Sequence, residues 1–132
     1  MHWFFPNAAF GNYVVQYVLN LNIPRVTGDI ILLLKRNYVN LSMQRFSSNV
    51  VEKCLEFSGE EACAHLIYEL INSSQLGQLL QDPYANYVVQ RALAVSKGVV
   101  HAALVEAIRP RIPALRGNAF AKKILSRTNL KK

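Results

Sequence analysis

FSSNVVEKCL, residues 46–55, is one of four versions of the same segment in this chain. FGNYVVQYVL occupies 10–19, YANYVVQRAL occupies 84–93, and a decayed FAKKILSRT occupies 120–128. The leading aromatics, Phe10, Phe46, Tyr84 and Phe120, are 36, 38 and 36 residues apart. Other apolar positions keep the same register. Twenty residues after an aromatic comes Ile30, Leu66 or Leu104, and four further on Leu34, Leu70 or Ile108. Before the aromatics lie Tyr38 and Leu41, Leu76 and Leu79, Ile112 and Leu115, again at fixed offsets. A period of this length with several locked apolar positions is the signature of stacked repeats, because one such unit cannot bury its apolar face alone.

Each unit reads as helical. Apolar residues recur at spacings of three and four without strict alternation, and Pro24, Gly59, Gly77, Asp82-Pro83, Gly98 and Pro110 punctuate the periodic segments. The expectation is a short helix, a longer motif-bearing helix and a third helix per unit, with motif helices near 10–20, 46–56 and 84–95 and a capping segment over 118–128.

Composition narrows the function. The 132 residues are 52% hydrophobic and 17% charged, enough apolar material for a folded core. Fifteen Lys and Arg against eight Asp and Glu give a formal charge of +7, which favours an anionic partner. No acid follows Glu106, while eight of the basic residues do. Cys54 and Cys63 have neither the number nor the spacing of a disulfide framework or zinc site, and suit a reducing, intracellular setting. His2, His65 and His101 are scattered, so no metal site is expected. The longest aliphatic run, Ile30 to Leu34, is far short of the ~20 residues that span a bilayer. No phosphate loop, paired nucleophile and base, or facing carboxylates appear, which argues against an enzyme and against a cofactor.

On a helix, Asn12, Tyr13 and Gln16 share one arc, with Phe10, Val14 and Val18 on the opposite side. The same division sets Ser48, Asn49 and Glu52 against Phe46, Val50 and Cys54, and Asn86, Tyr87 and Gln90 against Tyr84, Val88 and Ala92. The apolar sets are expected to be buried, which makes Cys54 a small core residue, and the polar triads to be exposed. Tyr13 and Tyr87 would offer stacking platforms to unpaired bases, with the amide plane of Asn49 a weaker one between them. Gln16 and Gln90 both donate and accept, complementing the N3–H and carbonyl of uracil, with Asn12 and Asn86 beside them. Glu52, with Ser48, only accepts; guanine presents N1–H and its N2 amino group side by side. A solvated glutamate on a helix is the other reading of Glu52. Lys53 and Arg91, next to the third triad member, are candidates for phosphate contact; ordinary exposed basic residues are the other reading of both.

NYVVQ, SNVVE and NYVVQ at these intervals, followed by a degenerate last unit, resemble the final repeats of the Pumilio (PUF) RNA-binding homology domain, over nearly the whole chain from Phe10. The resemblance implies an all-α, right-handed α-solenoid of three-helix Pumilio-type repeats, about three plus a C-terminal cap. It implies residues 10–132 as a partial homology domain after an atypical segment 1–9. One base would be read per repeat, with the RNA antiparallel to the protein, so that Asn86/Tyr87/Gln90, Ser48/Asn49/Glu52 and Asn12/Tyr13/Gln16 read 5′-UGU-3′. It further implies binding to messenger RNA 3′ untranslated regions in the cytoplasm, by a monomer without catalysis, and repression or decay of messages through recruited repressor or deadenylase proteins.

Two departures stand out. Lys122, Lys123 and Ser126 replace the triad in the last unit, suggesting a cap with phosphate contact. No short helix is expected before the first motif, where Trp3, Phe4 and Phe5 would form a lid or belong to an unrelated start. Two other readings stay open: an armadillo-like or HEAT-like solenoid that binds a peptide, and a truncated fragment with weak RNA binding.

Overall fold

The structure, a computed structural model, describes residues 8–128. Trp3, Phe4 and Phe5 lie outside the described residues. Ten α-helices and no strand occur among those described: α1 (Ala8–Asn20), α2 (Pro24–Leu34), α3 (Tyr38–Ser42), α4 (Ser47–Phe57), α5 (Glu60–Ile71), α6 (Leu76–Gln81), α7 (Ala85–Val95), α8 (Gly98–Ile108), α9 (Ile112–Leu115) and α10 (Ala119–Thr128). A 3-10 turn at Arg109–Arg111 joins α8 to α9.

Local chemistry sets the boundaries. Pro24 opens α2, where its missing N–H costs nothing. Glu60 and Glu61 place negative charge at the N-terminal turn of α5, and Asp82 accepts from the backbone N–H groups of Tyr84 and Ala85, both at 2.8 Å, to start α7. Asn118 does the same for α10 by accepting from the N–H of Ala121 at 3.0 Å. The turn into α8 passes through Gly98 at φ 59°, a conformation that glycine adopts without a Cβ penalty.

The motif helices α1, α4, α7 and α10 pack side by side in chain order as one layer, and α5 packs on α8 in a second layer. The short helices α3 and α6 sit against α4 and α7. The locked offsets recur in the core, where Leu34, Leu70 and Ile108 are buried in successive units, as are Tyr38, Leu76 and Ile112. Every such aliphatic side chain contributes about 1.5–3 kcal/mol on burial. The contact that repeats from unit to unit is that between motif helices, whereas a hollow lined by Ile31, Leu32, Ala62 and Leu66 lies between α2 and α5. The fold is an α-solenoid of three-helix units with a terminal cap.

Polar ties fix the units at their joints. Glu69 on α5 accepts from the backbone N–H groups of Arg36 and Tyr38, at 2.7 and 2.8 Å, and so holds the start of α3. Ser47 donates from Oγ to the Leu41 carbonyl at 2.7 Å, tying α4 to the short helix before it.

Two expectations of burial are corrected. Val50, Cys54, Val88 and Ala92 are in the core, but Phe46 and Tyr84 are exposed, as is Phe120. Phe46 and Tyr84 stand at the N-caps of their helices, ahead of the first turn, and are not part of the packed face. The face is completed instead by Val51 and Leu55, and by Val89 and Leu93. In the first unit Phe10 and Val14 are exposed and Val18 half-buried. α4 has a motif helix on each flank, whereas among the described residues α1 has one on a single flank.

Candidate nucleic-acid interface

Because α1, α4, α7 and α10 stack in order, residues at equal offsets on these helices fall into rows. One row is seen directly in two contacts between units. Arg91 on α7 lies with Nε 3.8 Å from a carboxylate oxygen of Glu52 on α4, and Arg127 on α10 donates from Nε to Oε1 of Gln90 on α7 at 3.1 Å. Arg91 and Arg127 each follow the third triad position of their own segment, and each reaches back to that position in the unit before. Glu52, Tyr87, Gln90, Arg91, Ala94 and Arg127 line a single open hollow of about 210 Å³. Two base-reading candidates and one stacking candidate from consecutive units thus border one space.

The three members of each triad are unequally exposed. Tyr13 and Tyr87 project into solvent, at 75% and 47% exposure, and Asn49 is also exposed. Gln16 and Glu52 are half-buried. Asn12, Ser48 and Asn86 are buried, which corrects the expectation that the whole triad faces solvent. Ser48 and Asn86 sit in the first turns of α4 and α7 and bond to backbone carbonyls just ahead of those helices. Asn86 donates from Nδ2 to the Asp82 carbonyl at 2.8 Å, and Ser48 donates to the Arg45 carbonyl at 3.3 Å. Gln90 is also buried, its Nε2 donating to Asn86 Oδ1 at 3.0 Å while its Oε1 accepts from Arg127.

Burial pushes the Glu52 carboxyl above the ordinary carboxylate range; Arg91 and Lys53 oppose that shift, and Glu56 adds to it. Lys53 lies 3.9 Å from Glu56 and 5.8 Å from the centre of the Phe57 ring, so it is turned along its own helix and not toward the preceding unit. Lys122 and Lys123 are exposed on α10. Tyr13 borders a second, apolar hollow of about 410 Å³ with Ala9, Phe10, Val14 and Tyr17, away from the Glu52–Gln90 space. Among the described residues no cluster of His, Cys, Asp and Glu suits a metal ion, and no helix is long and apolar enough to cross a membrane.

Arg127 was absent from the sequence-based candidates. Its signal was the offset it shares with Lys53 and Arg91, hidden because the cap has lost the rest of the triad.

The family profile described as "Pumilio-family RNA binding repeat" matches residues 9–22, 37–71 and 75–109, more than half of the chain. The chain belongs to the Pumilio family. Pumilio homolog 12 of Arabidopsis thaliana is 52% identical over 123 residues, covering 93% of this chain and 21% of that protein. A Pumilio domain-containing protein of Schizosaccharomyces pombe is 45% identical over 119 residues, covering 90% of this chain and 18% of its own length. The chain therefore spans about a fifth of these curated Pumilio relatives. Among solved structures, the fold is similar to PUF-8 in complex with PBE-RNA (TM-score 0.78, 30% identity, 89% of this chain and 35% of that one). It is similar also to the Puf4 RNA binding domain bound to the HO endonuclease RNA 3′ UTR recognition sequence (TM-score 0.78, 33% identity, 89% and 39%).

Proposed function

We propose that the chain binds single-stranded RNA in a sequence-specific way, with a 5′-UGU-3′ core. Gln90, above Asn86, takes the first uracil; Glu52, above Ser48, takes the guanine; Gln16, above Asn12, takes the second uracil. Tyr87, Asn49 and Tyr13 supply the stacking surfaces beside them. The observation that carries this reading is the shared hollow in which Glu52, Tyr87 and Gln90 meet. A more sheltered row that reads edges, Gln16, Glu52 and Gln90, next to an exposed row that stacks, is the arrangement an unstacked strand requires. That the similar PUF-8 and Puf4 structures are complexes with RNA supports it.

Lys122 and Lys123 extend the row with positive charge for phosphate. Lys53 and Arg91 flank it and share that role with their contacts to Glu56 and Glu52. Asn12, Ser48 and Asn86 stand beside these readers on the base-edge side, and Asn86 also holds Gln90 in place by accepting from its Nε2. The wider reading is regulation of messenger RNA through 3′ untranslated regions in the cytoplasm, by a monomer that recruits repressor or deadenylase proteins and catalyses nothing itself.

The test is equilibrium binding of the 132-residue chain to short RNAs carrying UGU, UUU or CCC at one salt concentration. UGU binding at least about tenfold tighter than either control supports the reading. Weak, salt-sensitive association without base preference would instead mark a peptide-binding solenoid.

A further inference from the structure

Gln90 is held in a hydrogen-bond chain whose two ends each have only one chemical role. At one end the Asp82 backbone carbonyl, an acceptor, takes Nδ2 of Asn86 at 2.8 Å. Asn86 must therefore turn Oδ1 toward Gln90, and this oxygen takes Gln90 Nε2 at 3.0 Å. Gln90 must then turn Oε1 outward, where Nε of Arg127, a donor only, meets it at 3.1 Å. Rotating the Gln90 amide by half a turn would set oxygen against oxygen at Asn86 and N–H against N–H at Arg127. Both ends resist the flip.

We infer that Arg127, on the capping helix, is a positioning residue that fixes the Gln90 amide and so sets which pyrimidine the third unit accepts. The inference rests on the base-reading role proposed above for Gln90. With two bonds already made, Gln90 retains one N–H and one lone pair, in a fixed order. Uracil presents N3–H and the O4 acceptor along its edge; cytosine presents the N3 acceptor and the N4 amino donor, the reverse order. A freely rotating amide satisfies both bases, whereas a pinned one satisfies one of them. The cap thus contributes to specificity although its own segment, with Lys122, Lys123 and Ser126, has lost the reading triad. Lys53 shows the contrast: at the equivalent position it is engaged with Glu56 and Phe57, and no such brace runs from it to Gln16 in the first unit.

The experiment compares UGU with CGU, which differ at the base assigned to Gln90, and UGU with UAU, which differ at the base assigned to Glu52, all at fixed salt. Arg127→Met is expected to reduce the U-over-C ratio at the first base by about three- to tenfold, the effect of one lost hydrogen bond. The G-over-A ratio at the second base stays as in the parent. In a Gln90→Ala background, Arg127→Met leaves the U-over-C ratio unchanged, because the brace has nothing to hold. Far-ultraviolet circular dichroism confirms that each variant is folded. Equal weakening of all three RNAs by Arg127→Met, with the first-base ratio intact, would make Arg127 a phosphate contact and overturn the inference. A change in the ratio that persists without Gln90 would overturn it too, by making Arg127 itself the reader. If the parent chain discriminates at neither base, the base-reading role fails before Arg127 is reached.

Discussion

The Arg91 guanidinium on α7 stands 3.8 Å from the Glu52 carboxylate on α4, so the acid proposed to read guanine in one unit is faced by a cation of the next. This pairing makes a half-buried carboxylate tolerable on a face meant for a polyanion. It also leaves Glu52 poised, since burial raises its pKa while Arg91 and Lys53 pull it back.

A pH dependence follows from that balance. Guanine needs two acceptors side by side, which only the ionised Glu52 supplies. As pH falls toward the raised Glu52 pKa, the preference for UGU over UUU should shrink while UUU binding changes less. Arg91→Met removes an opposing charge, and should move this loss to higher pH. The same shift acts on stability with its own sign: in the window between the ordinary carboxylate pKa and the raised one, the folded chain holds more protons than the unfolded chain. Glu52 therefore makes folding less stable as pH rises through that window, and Glu52→Gln should abolish this contribution. Binding isotherms and urea titrations across about pH 4 to 8 check both halves.

Tyr87→Ala should weaken binding of every RNA tested by about 1–3 kcal/mol, without changing the ranking of bases, because a ring stacks on any base. Asn49→Tyr should act in the opposite direction by completing the aromatic row. Fluorescence anisotropy with the UGU and UUU strands at one salt concentration measures both. A change in ranking would show that Tyr87 reads an edge.

Burial pushes the Cys54 thiol up to about 12. With its sulfur enclosed between helices α4 and its neighbours, alkylation by iodoacetamide in the native chain should be negligible around pH 8 and should rise in step with urea unfolding. Mass spectrometry of the Cys54 peptide follows this, and fast labelling of the folded chain would contradict the packing of α4.

The period was readable because a solenoid repeats its contacts: Leu34, Leu70 and Ile108 keep one offset in the chain and one position in the core. What the period did not carry was the depth of each side chain. A helical wheel places Phe46 opposite Glu52, yet α4 begins one residue later, so Phe46 is a cap and not a core residue. The wheel likewise puts Asn86 on the arc of Tyr87, but Asn86 is buried in the first turn of α7 and bonds to the backbone carbonyl of Asp82. Arg127 was the least visible. Its partner is 37 residues away, and a contact between units depends on how closely the helices stack, which no single segment records.

The most direct test of the account exchanges the readout of one unit for that of its neighbours. Ser48→Asn together with Glu52→Gln gives α4 the edge chemistry of α1 and α7, and competition binding then compares UGU with UUU. The account predicts that the parent prefers UGU and the double variant UUU, a reversal of about tenfold or more in the ratio. An unchanged ranking in a folded double variant would contradict it.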